Sequence, residues 1–130
     1  MTRRILIVDD VPTNRIILKV KLNAACYEAT MAASGAEALE LARRELPDLI
    51  LLDYSMPGMD GIEVCRALRA DPATARIPVI MFTASDDERA RITALRGGAD
   101  DFLVKPIDDK VLMARIRNLM RAHDRASFSA

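Results

Sequence analysis

Four charged residues each follow directly on a short apolar run, and together they could carry out phosphate chemistry. Asp9 and Asp10 follow the first run, Asp53 follows another, and Lys105 follows a third. If these runs are strands of one parallel sheet, their carboxyl ends lie along the same edge, where ligands of open α/β sheets bind. We therefore expect three carboxylates and one ammonium to meet in one acidic pocket.

The chemistry of such a pocket follows from its charges. Three carboxylates repel one another, and a hard divalent cation relieves that repulsion, so the oxygen ligands favour Mg²⁺. Asp9 and Asp10 are adjacent and suit metal binding, whereas Asp53 stands alone at a strand end and suits a nucleophile that forms an acyl phosphate. Lys105 and the hydroxyl of Thr83, at the end of the fourth strand, could stabilise phosphoryl oxygens.

The composition excludes several other classes of function. The chain has 130 residues, of which 51% are hydrophobic and 29% charged, and its formal net charge is zero. A neutral balance gives no support to nucleic-acid or membrane binding through the overall field, and no apolar run approaches a membrane span. The start does not resemble a signal peptide. Cys26 and Cys65 form no metal or redox motif, so we expect reduced, largely buried thiols in a cytoplasmic protein.

The hydrophobic pattern alternates between strand and helix five times. This predicts right-handed βαβ units and a parallel sheet, in a doubly wound α/β fold. The first helix should turn Ile17, Leu18, Val20 and Leu22 inward, and Ser34 with Glu37 predicts a capping box on the second helix. The predicted strands are 5–8, 28–33, 49–53, 79–83 and 101–104, and the predicted helices are 13–23, 35–46, 62–70, 86–96 and 108 to about 122.

One domain accounts for nearly the whole chain. We expect it to span residues 1–123, because periodicity is lost beyond that point. Residues 124–130 are interpreted as a frayed tail or the start of a linker.

The sequence resembles the receiver domain of two-component response regulators. The residues that carry the match are Asp9-Asp10, Asp53 with the segment 56–61 (Met-Pro-Gly-Met-Asp-Gly), Thr83-Ala84 and Lys105-Pro106. The resemblance covers residues 3 to about 122. It implies a flavodoxin-like (βα)5 three-layer sandwich with the strand order 2-1-3-4-5.

The resemblance also implies a role for each site residue. Asp53 would accept a phosphoryl group from a histidine kinase or a histidine phosphotransfer protein. Asp9, Asp10, Asp53 and the backbone carbonyl of Ser55 would hold Mg²⁺. Lys105, followed by a cis peptide bond to Pro106, would contact the phosphoryl oxygens. The domain would be a signalling phosphoacceptor rather than an enzyme with a separate substrate, although it would catalyse its own phosphorylation and dephosphorylation.

A conformational switch is implied by the same resemblance. Thr83 and Phe102 would be the switch pair, and the face formed by the fourth helix, fifth strand and fifth helix would change shape and bind an output domain or partner. The phosphate lifetime would depend partly on Ser55 and Ser85. Within the family, residues 61–74 and 105–109 are similar to the first receiver of two-receiver diguanylate cyclases. The sequence departs from many receivers at Cys26, where glycine is common, which predicts a different turn after the first helix.

Two other functions use the same residues. An aspartyl phosphohydrolase would also need carboxylates, a lysine and a threonine, but Ser55 stands where a general acid would be expected, and no lid segment is present. A degenerate receiver that serves only as an adaptor is disfavoured because every chemical residue is present. Val111, Met113 and Met120 on the last helix suggest a homodimer that forms on phosphorylation.

Overall fold

Five apolar runs pair into one parallel sheet in the computed structural model, which describes residues 2–84 and 88–129. The strand order is β2-β1-β3-β4-β5, so the predicted topology is confirmed. Every residue of β3 and β4 is buried, which explains why their sequences are continuously apolar rather than alternating. The strands are β1 (Arg4–Val8), β2 (Glu28–Ala32), β3 (Leu49–Asp53), β4 (Val79–Thr83) and β5 (Asp101–Val104).

Helices cover both faces of the sheet, as the predicted three-layer sandwich requires. One core cluster packs α2, α3 and α4 against one face, and a second packs α1 and α5 against the other. Alternate residues of each strand enter the two clusters: Ile5 and Ile7 face α1 and α5, whereas Leu6 and Val8 face the opposite layer. The helices are α1 (Pro12–Ala24), α2 (Gly35–Glu45), α3 (Gly61–Ala70), α4 (Glu88–Arg96) and α5 (Asp109–Ser129).

For the first three helices and all five strands, the observed boundaries lie within one residue of the predicted ones, but the last helix is longer than predicted. α5 continues to Ser129, well beyond the predicted end near Ala122, so the backbone of residues 123–129 is helical. The predicted start of the fourth helix at Asp86 lies outside the described residues, as does Ser85. Within 2–84 and 88–129, no helix is both long enough and apolar enough to cross a membrane.

Capping side chains fix where several helices begin. Ser34 accepts a hydrogen bond from the Glu37 backbone N–H, 3.2 Å away, which is one of the two bonds of the predicted capping box. The complete box instead begins α3, where Asp60 and Glu63 exchange side-chain and backbone bonds. Asp108 caps α5 by accepting from the two backbone N–H groups of residues 110 and 111.

The turn after α1 is the one that glycine usually forms, so the prediction of a different turn at Cys26 was wrong. Cys26 has a φ of +70°, in the left-handed region. Its N–H donates to the Asn23 carbonyl, and the Tyr27 N–H donates to the Leu22 carbonyl. These two bonds form a Schellman motif, which needs a left-handed residue at this position whatever its side chain. Cys26 is also exposed, whereas Cys65 is buried as expected, and both thiols are free.

On α1 and α5, the buried and exposed apolar residues differ from those that were predicted. On α1, Leu22 is buried, but Ile17 and Val20 are 47% and 63% exposed, so only part of the expected stripe enters the core. On α5, Met113 and Met120 pack against the core cluster that α1 shares, and Val111 alone of the three predicted residues is exposed. The apolar face that suggested a homodimer is therefore largely internal.

A single arginine joins the loops at the amino-terminal end of β4. The Arg69 guanidinium donates to the carbonyls of Ala75, Ile77 and Gly98 at 2.7–3.0 Å. It also pairs with Asp100 at 2.9 Å, and the same Asp100 oxygen accepts from the first N–H of β4. One side chain thus holds α3, the loop before β4 and the loop before β5 together.

Replacing Arg69 should destabilise the domain markedly. In Arg69→Met the stem is kept, but three backbone carbonyls and one carboxylate lose their charged donor, which should lower the free energy of unfolding by about 2–4 kcal/mol. Urea unfolding followed by circular dichroism measures this. Arg66→Met, at an exposed position of the same helix, should change stability by less than about 0.5 kcal/mol. Equal losses in the two variants would contradict the assignment.

Glycine at position 26 should stabilise the domain. The left-handed conformation costs a residue with a Cβ about 1–2 kcal/mol, and the greater backbone entropy of unfolded glycine offsets about half of that. Cys26→Gly should therefore gain roughly 0.5–1 kcal/mol in thermal or urea unfolding. Ala25→Gly is the matched control, because Ala25 has a φ of −92° and should lose stability. A lower free energy of unfolding in Cys26→Gly than in wild type would show that the left-handed conformation of Cys26 is not strained.

Candidate functional site

Three carboxylates converge at the carboxyl edge of the sheet. β1 and β3 are neighbours in parallel register, so Asp9 and Asp10, just beyond β1, come beside Asp53, the last residue of β3. One oxygen from each of the three side chains lies within 4.8 Å of the others. Asp9 and Asp53 are 2% and 5% exposed, and Asp10 is half-buried. The sequence prediction that these residues meet is therefore correct.

Lys105 supplies a positive charge next to Asp53. Its Nζ lies 3.1 Å from Asp53 Oδ1 and donates a hydrogen bond to it. The Lys105 backbone N–H donates to the Thr83 carbonyl at 2.7 Å, which extends the β4–β5 pairing by one residue and sets the position of the side chain. The Lys105–Pro106 peptide bond is cis, as the resemblance implied.

Asp53 occupies an electrostatic environment that opposes its charge. Burial raises the pKa of its carboxyl, and the nearby Asp9 carboxylate adds to that rise. The hydrogen bond and charge of Lys105, together with a hydrogen bond from the Ser55 backbone N–H, act in the opposite direction and offset part of the effect. The pKa of Asp53 remains above its ordinary value. Binding of a cation next to this carboxylate is therefore favourable.

The backbone around Asp53 is held by close packing. The Tyr54 N–H donates to the Phe82 carbonyl at 2.8 Å, and the Gly61 N–H donates to the Tyr54 carbonyl at 2.8 Å. A Cβ at Gly61 would come within 2.8 Å of the Asp53 carbonyl oxygen, so only glycine allows α3 to begin this close to the strand end. The Met-Pro-Gly-Met-Asp-Gly segment thus ends in a residue that positions Asp53.

Of the remaining predicted residues, Thr83 and Ser55 lie at the same edge, whereas Phe102 lies two residues before the end of β5 and pairs with Met81. Thr83 is buried at the end of β4, and Phe102 is half-buried in β5, where it packs against the core cluster of α2, α3 and α4. Thr83 pairs in register with Val104, which adjoins Lys105. Ser55 is exposed in the loop after β3. The structure thus brings Asp9, Asp10, Asp53 and Lys105 together, with Thr83 at the end of the neighbouring strand, and the roles of all predicted residues remain predictions.

Two polar residues of α1 belong to the site and were missed as functional residues by the sequence analysis. Asn14 Nδ2 donates to Asp9 Oδ2 at 3.2 Å, and an Arg15 guanidinium nitrogen donates to the Asp9 backbone carbonyl at 2.7 Å. The Val11 backbone N–H donates to the other carboxylate oxygen at 2.9 Å. Asn14 and Arg15 follow Asp10 by four and five residues. This spacing could have indicated a contact with the acidic pair, but polar residues at such positions are also typical of an exposed helix face.

The site opens into a cavity of about 280 Å³. Asp9 and Asn14 line it on one side, Lys105 and Pro106 on another, and Ile17 adds an apolar wall. The cavity therefore gives access to Asp9 and Lys105, whereas Asp10 and Asp53 do not line it, and its volume is sufficient for a small ligand.

The donor set fits a hard divalent cation. All three side-chain ligands are carboxylate oxygens, close enough to share one ion, and Lys105 offsets only one of the three negative charges. Mg²⁺ in proteins is bound through one or two carboxylates with retained waters, which this half-open arrangement allows. The geometry is therefore suited to a cation and to a group carrying phosphoryl oxygens.

Comparison with known proteins gives a consistent result. The family model "response regulator receiver domain" matches residues 5–117. The chain is 54% identical over 121 residues to Response regulator PleD of Caulobacter vibrioides, an alignment that covers 93% of this chain and 27% of that protein. It spans about a quarter to a half of the curated relatives it matches.

Solved structures agree in fold. The signal receiver domain of a signal transduction histidine kinase from Syntrophus aciditrophicus superposes with a TM-score of 0.86 at 39% identity, covering 93% of this chain and 92% of that one. The receiver domain of sensor histidine kinase PA1611 from Pseudomonas aeruginosa, which has a magnesium ion coordinated in its active-site cleft, gives 0.85 at 31% identity, with 92% and 98% covered. The predicted resemblance is confirmed, and this chain belongs to the receiver-domain family of response regulators.

Proposed function

We propose that Asp53 is the phosphoacceptor of this receiver domain and that it takes a phosphoryl group from a phosphohistidine of a histidine kinase or histidine phosphotransfer protein. The single observation that carries the proposal is the position of Asp53: it ends the central strand, has Lys105 Nζ at 3.1 Å and shares an oxygen cluster with Asp9 and Asp10. A carboxylate in these surroundings can act as a nucleophile toward phosphorus.

Mg²⁺ is the cation we propose for the acidic cluster. Asp9, Asp10 and Asp53 would hold it, with the backbone carbonyl of Ser55 as a further ligand. When bound, it would neutralise the excess carboxylate charge and the charge on phosphoryl oxygens. The magnesium ion in the active-site cleft of the Pseudomonas receiver domain supports this proposal for a related chain.

Asp53, Lys105 and Thr83 each have a separate role in the proposed phosphoryl transfer. An Asp53 carboxylate oxygen forms a bond to phosphorus while the phosphorus–nitrogen bond to the donor imidazole breaks, and the imidazole takes up a proton. The Lys105 ammonium stands beside Asp53 and attracts a phosphoryl oxygen. The Thr83 hydroxyl can donate to another. Hydrolysis of the acyl phosphate at the same site would reverse the signal, so the domain would catalyse its own phosphorylation and dephosphorylation.

The response to phosphorylation would pass through Thr83 and Phe102. Thr83 is buried beside the strand end, and Phe102 is only half-buried against the core. If Thr83 moves toward the phosphate, Phe102 can fill the space released and become more buried. The face formed by α4, β5 and α5 would then change shape and bind an output domain or partner. Phosphorylation shifts this equilibrium by its differential affinity for the two states.

The domain boundaries, the output domain, the cellular location and the oligomeric state are also proposals. Residues 1–123 would form the receiver, and residues 124–130, which extend α5 as far as Ser129, would begin a linker to an output domain. A diguanylate cyclase is the output that the finer sequence resemblance suggests. We place the domain in the cytoplasm, acting without direct nucleic-acid or membrane contact. A homodimer that forms on phosphorylation would have to rely mainly on residues other than Met120, which is buried, and Met113, which is partly buried against the same cluster.

Phosphorylation should depend on the Asp53 carboxylate. Incubation with acetyl phosphate and Mg²⁺ should add one phosphoryl group per chain, seen as a mass increase of about 80 Da in intact-protein mass spectrometry, which corresponds to one phosphate. Asp53→Asn lacks the nucleophile and should show no increase. Lys105→Met should reduce the rate by roughly 10²-fold or more, because the donor beside the nucleophile is lost.

Asp48→Asn is a suitable control, since Asp48 lies at the opposite end of the sheet, where it accepts from the Arg4 backbone N–H. That variant should be phosphorylated like the wild type. Equal phosphorylation of wild type and Asp53→Asn would refute the proposal. Repeated turnover of a phosphomonoester would instead favour a phosphohydrolase.

Mg²⁺ and pH should affect stability through Asp53. Its raised pKa means that the folded state loses stability as pH rises through the interval between the ordinary aspartate pKa and the folded value. In EDTA at neutral pH, Asp53→Asn should therefore be more stable than wild type, and the difference should vanish in acid. Mg²⁺ at ten times its Kd should stabilise wild type by about 1.4 kcal/mol and the variant by less.

Thermal unfolding in EDTA and in Mg²⁺, at several pH values, measures both effects. Asp48→Asn is again the control and should respond to Mg²⁺ as wild type does. A variant Asp53→Asn that is less stable than wild type at neutral pH without Mg²⁺ would contradict the proposed charge imbalance.

A further inference from the structure

Both carboxylate oxygens and the backbone carbonyl of Asp9 accept hydrogen bonds from the loop after β1 or from the first turn of α1, and its backbone N–H donates to the Ala32 carbonyl of β2. Its Oδ1 accepts from the Val11 N–H at 2.9 Å, its Oδ2 from Asn14 Nδ2 at 3.2 Å, and its carbonyl from Arg15 at 2.7 Å. Asp9 is 2% exposed. Its carboxylate is therefore held at both oxygens by groups of the protein.

These bonds leave the carboxylate able to bind a cation. Each carboxylate oxygen has two lone-pair sites, so an oxygen that accepts one hydrogen bond can still face an ion. The donors instead fix the plane of the carboxylate, because rotation about its side-chain bonds would break at least one of them. Groups behind a metal ligand commonly orient it in this way.

Asn14 is the part of this arrangement that depends on side-chain identity. The Val11 donor is a backbone N–H that any residue except proline supplies, and Arg15 holds the backbone of Asp9 rather than its carboxylate. Asn14 reaches Oδ2 with a neutral amide. A neutral donor orients the carboxylate without placing a second positive charge that would compete with a cation for the same oxygens.

We propose that Asn14 is a positioning residue for the divalent cation: its amide fixes the Asp9 carboxylate so that an oxygen faces Asp10 and Asp53, and it thereby raises the affinity for Mg²⁺. The inference rests on the proposed function, in which these three carboxylates hold Mg²⁺. Asn14 touches neither Asp53 nor Lys105 in the described hydrogen bonds, so it acts through Asp9.

The test is Mg²⁺ titration of Asn14→Ala, followed by isothermal titration calorimetry or ¹H–¹⁵N spectra of the full chain. Loss of a group behind a metal ligand typically weakens binding about 10- to 100-fold, and we expect the Kd for Mg²⁺ to rise by about 10-fold. Asn23→Ala, at an exposed position near the other end of α1, should keep the wild-type Kd. Alanine favours helix in both variants, so weaker binding would not reflect unfolding.

A second measurement separates positioning from a general defect. The rate of phosphorylation by acetyl phosphate is recorded against Mg²⁺ concentration. Asn14→Ala should need about 10-fold more Mg²⁺ for half-maximal rate but should approach the wild-type maximum. A wild-type Kd in Asn14→Ala, or a lower maximum with unchanged half-saturation, would overturn the inference alone. A wild-type chain without saturable Mg²⁺ binding, or an Asp53→Asn chain that binds equally well, would overturn the proposed function and this inference with it.

Discussion

Among residues 2–84 and 88–129, the three carboxylates at one edge of the sheet have a single ion-pair partner, Lys105, so part of their negative charge is not neutralised by these side chains. Asp9 and Asp53 are buried, and Lys105 forms its ion pair with Asp53, at 3.1 Å. Burial of like charges costs free energy unless further positive charge arrives. The fold maintains this imbalance because the strands that end there are anchored by two hydrophobic clusters, one on each face of the sheet. The chemistry proposed for the site follows from this excess negative charge, which a bound cation would neutralise.

The positions of the charged groups are set mainly by backbone geometry. The parallel pairing of β1 with β3 brings Asp9 and Asp53 together, and the N–H groups of Tyr54 and Lys105 extend the pairing of β3 and β5 with β4. Gly61 then lets α3 begin against the backbone of Asp53. Because these contacts involve main-chain atoms, the position of Asp53 is fixed by the backbone, whereas the proposed switch residues Thr83 and Phe102 would act through their side chains.

Much of this arrangement could be predicted because it depends on local patterns. Continuous apolar runs identified the buried strands, and the charged residues that follow them identified the edge of the sheet. The sequence did not reveal Arg69, whose partners lie in two separate loops, or Asn14, whose role appears only once α1 is placed against Asp9. The left-handed turn at Cys26 was missed because its hydrogen bonds are made by backbone groups, which residue identity reports only weakly. The extra length of α5 was missed because its last turns lack an apolar stripe.

The most direct test of the account is the location of a divalent cation in crystals of the domain soaked in Mn²⁺, from anomalous difference density. The account predicts one strong peak enclosed by the carboxylates of Asp9, Asp10 and Asp53, on the side of Asp53 that Lys105 does not occupy. A strongest peak elsewhere on the molecule, or density at this edge that touches none of the three carboxylates, would contradict it.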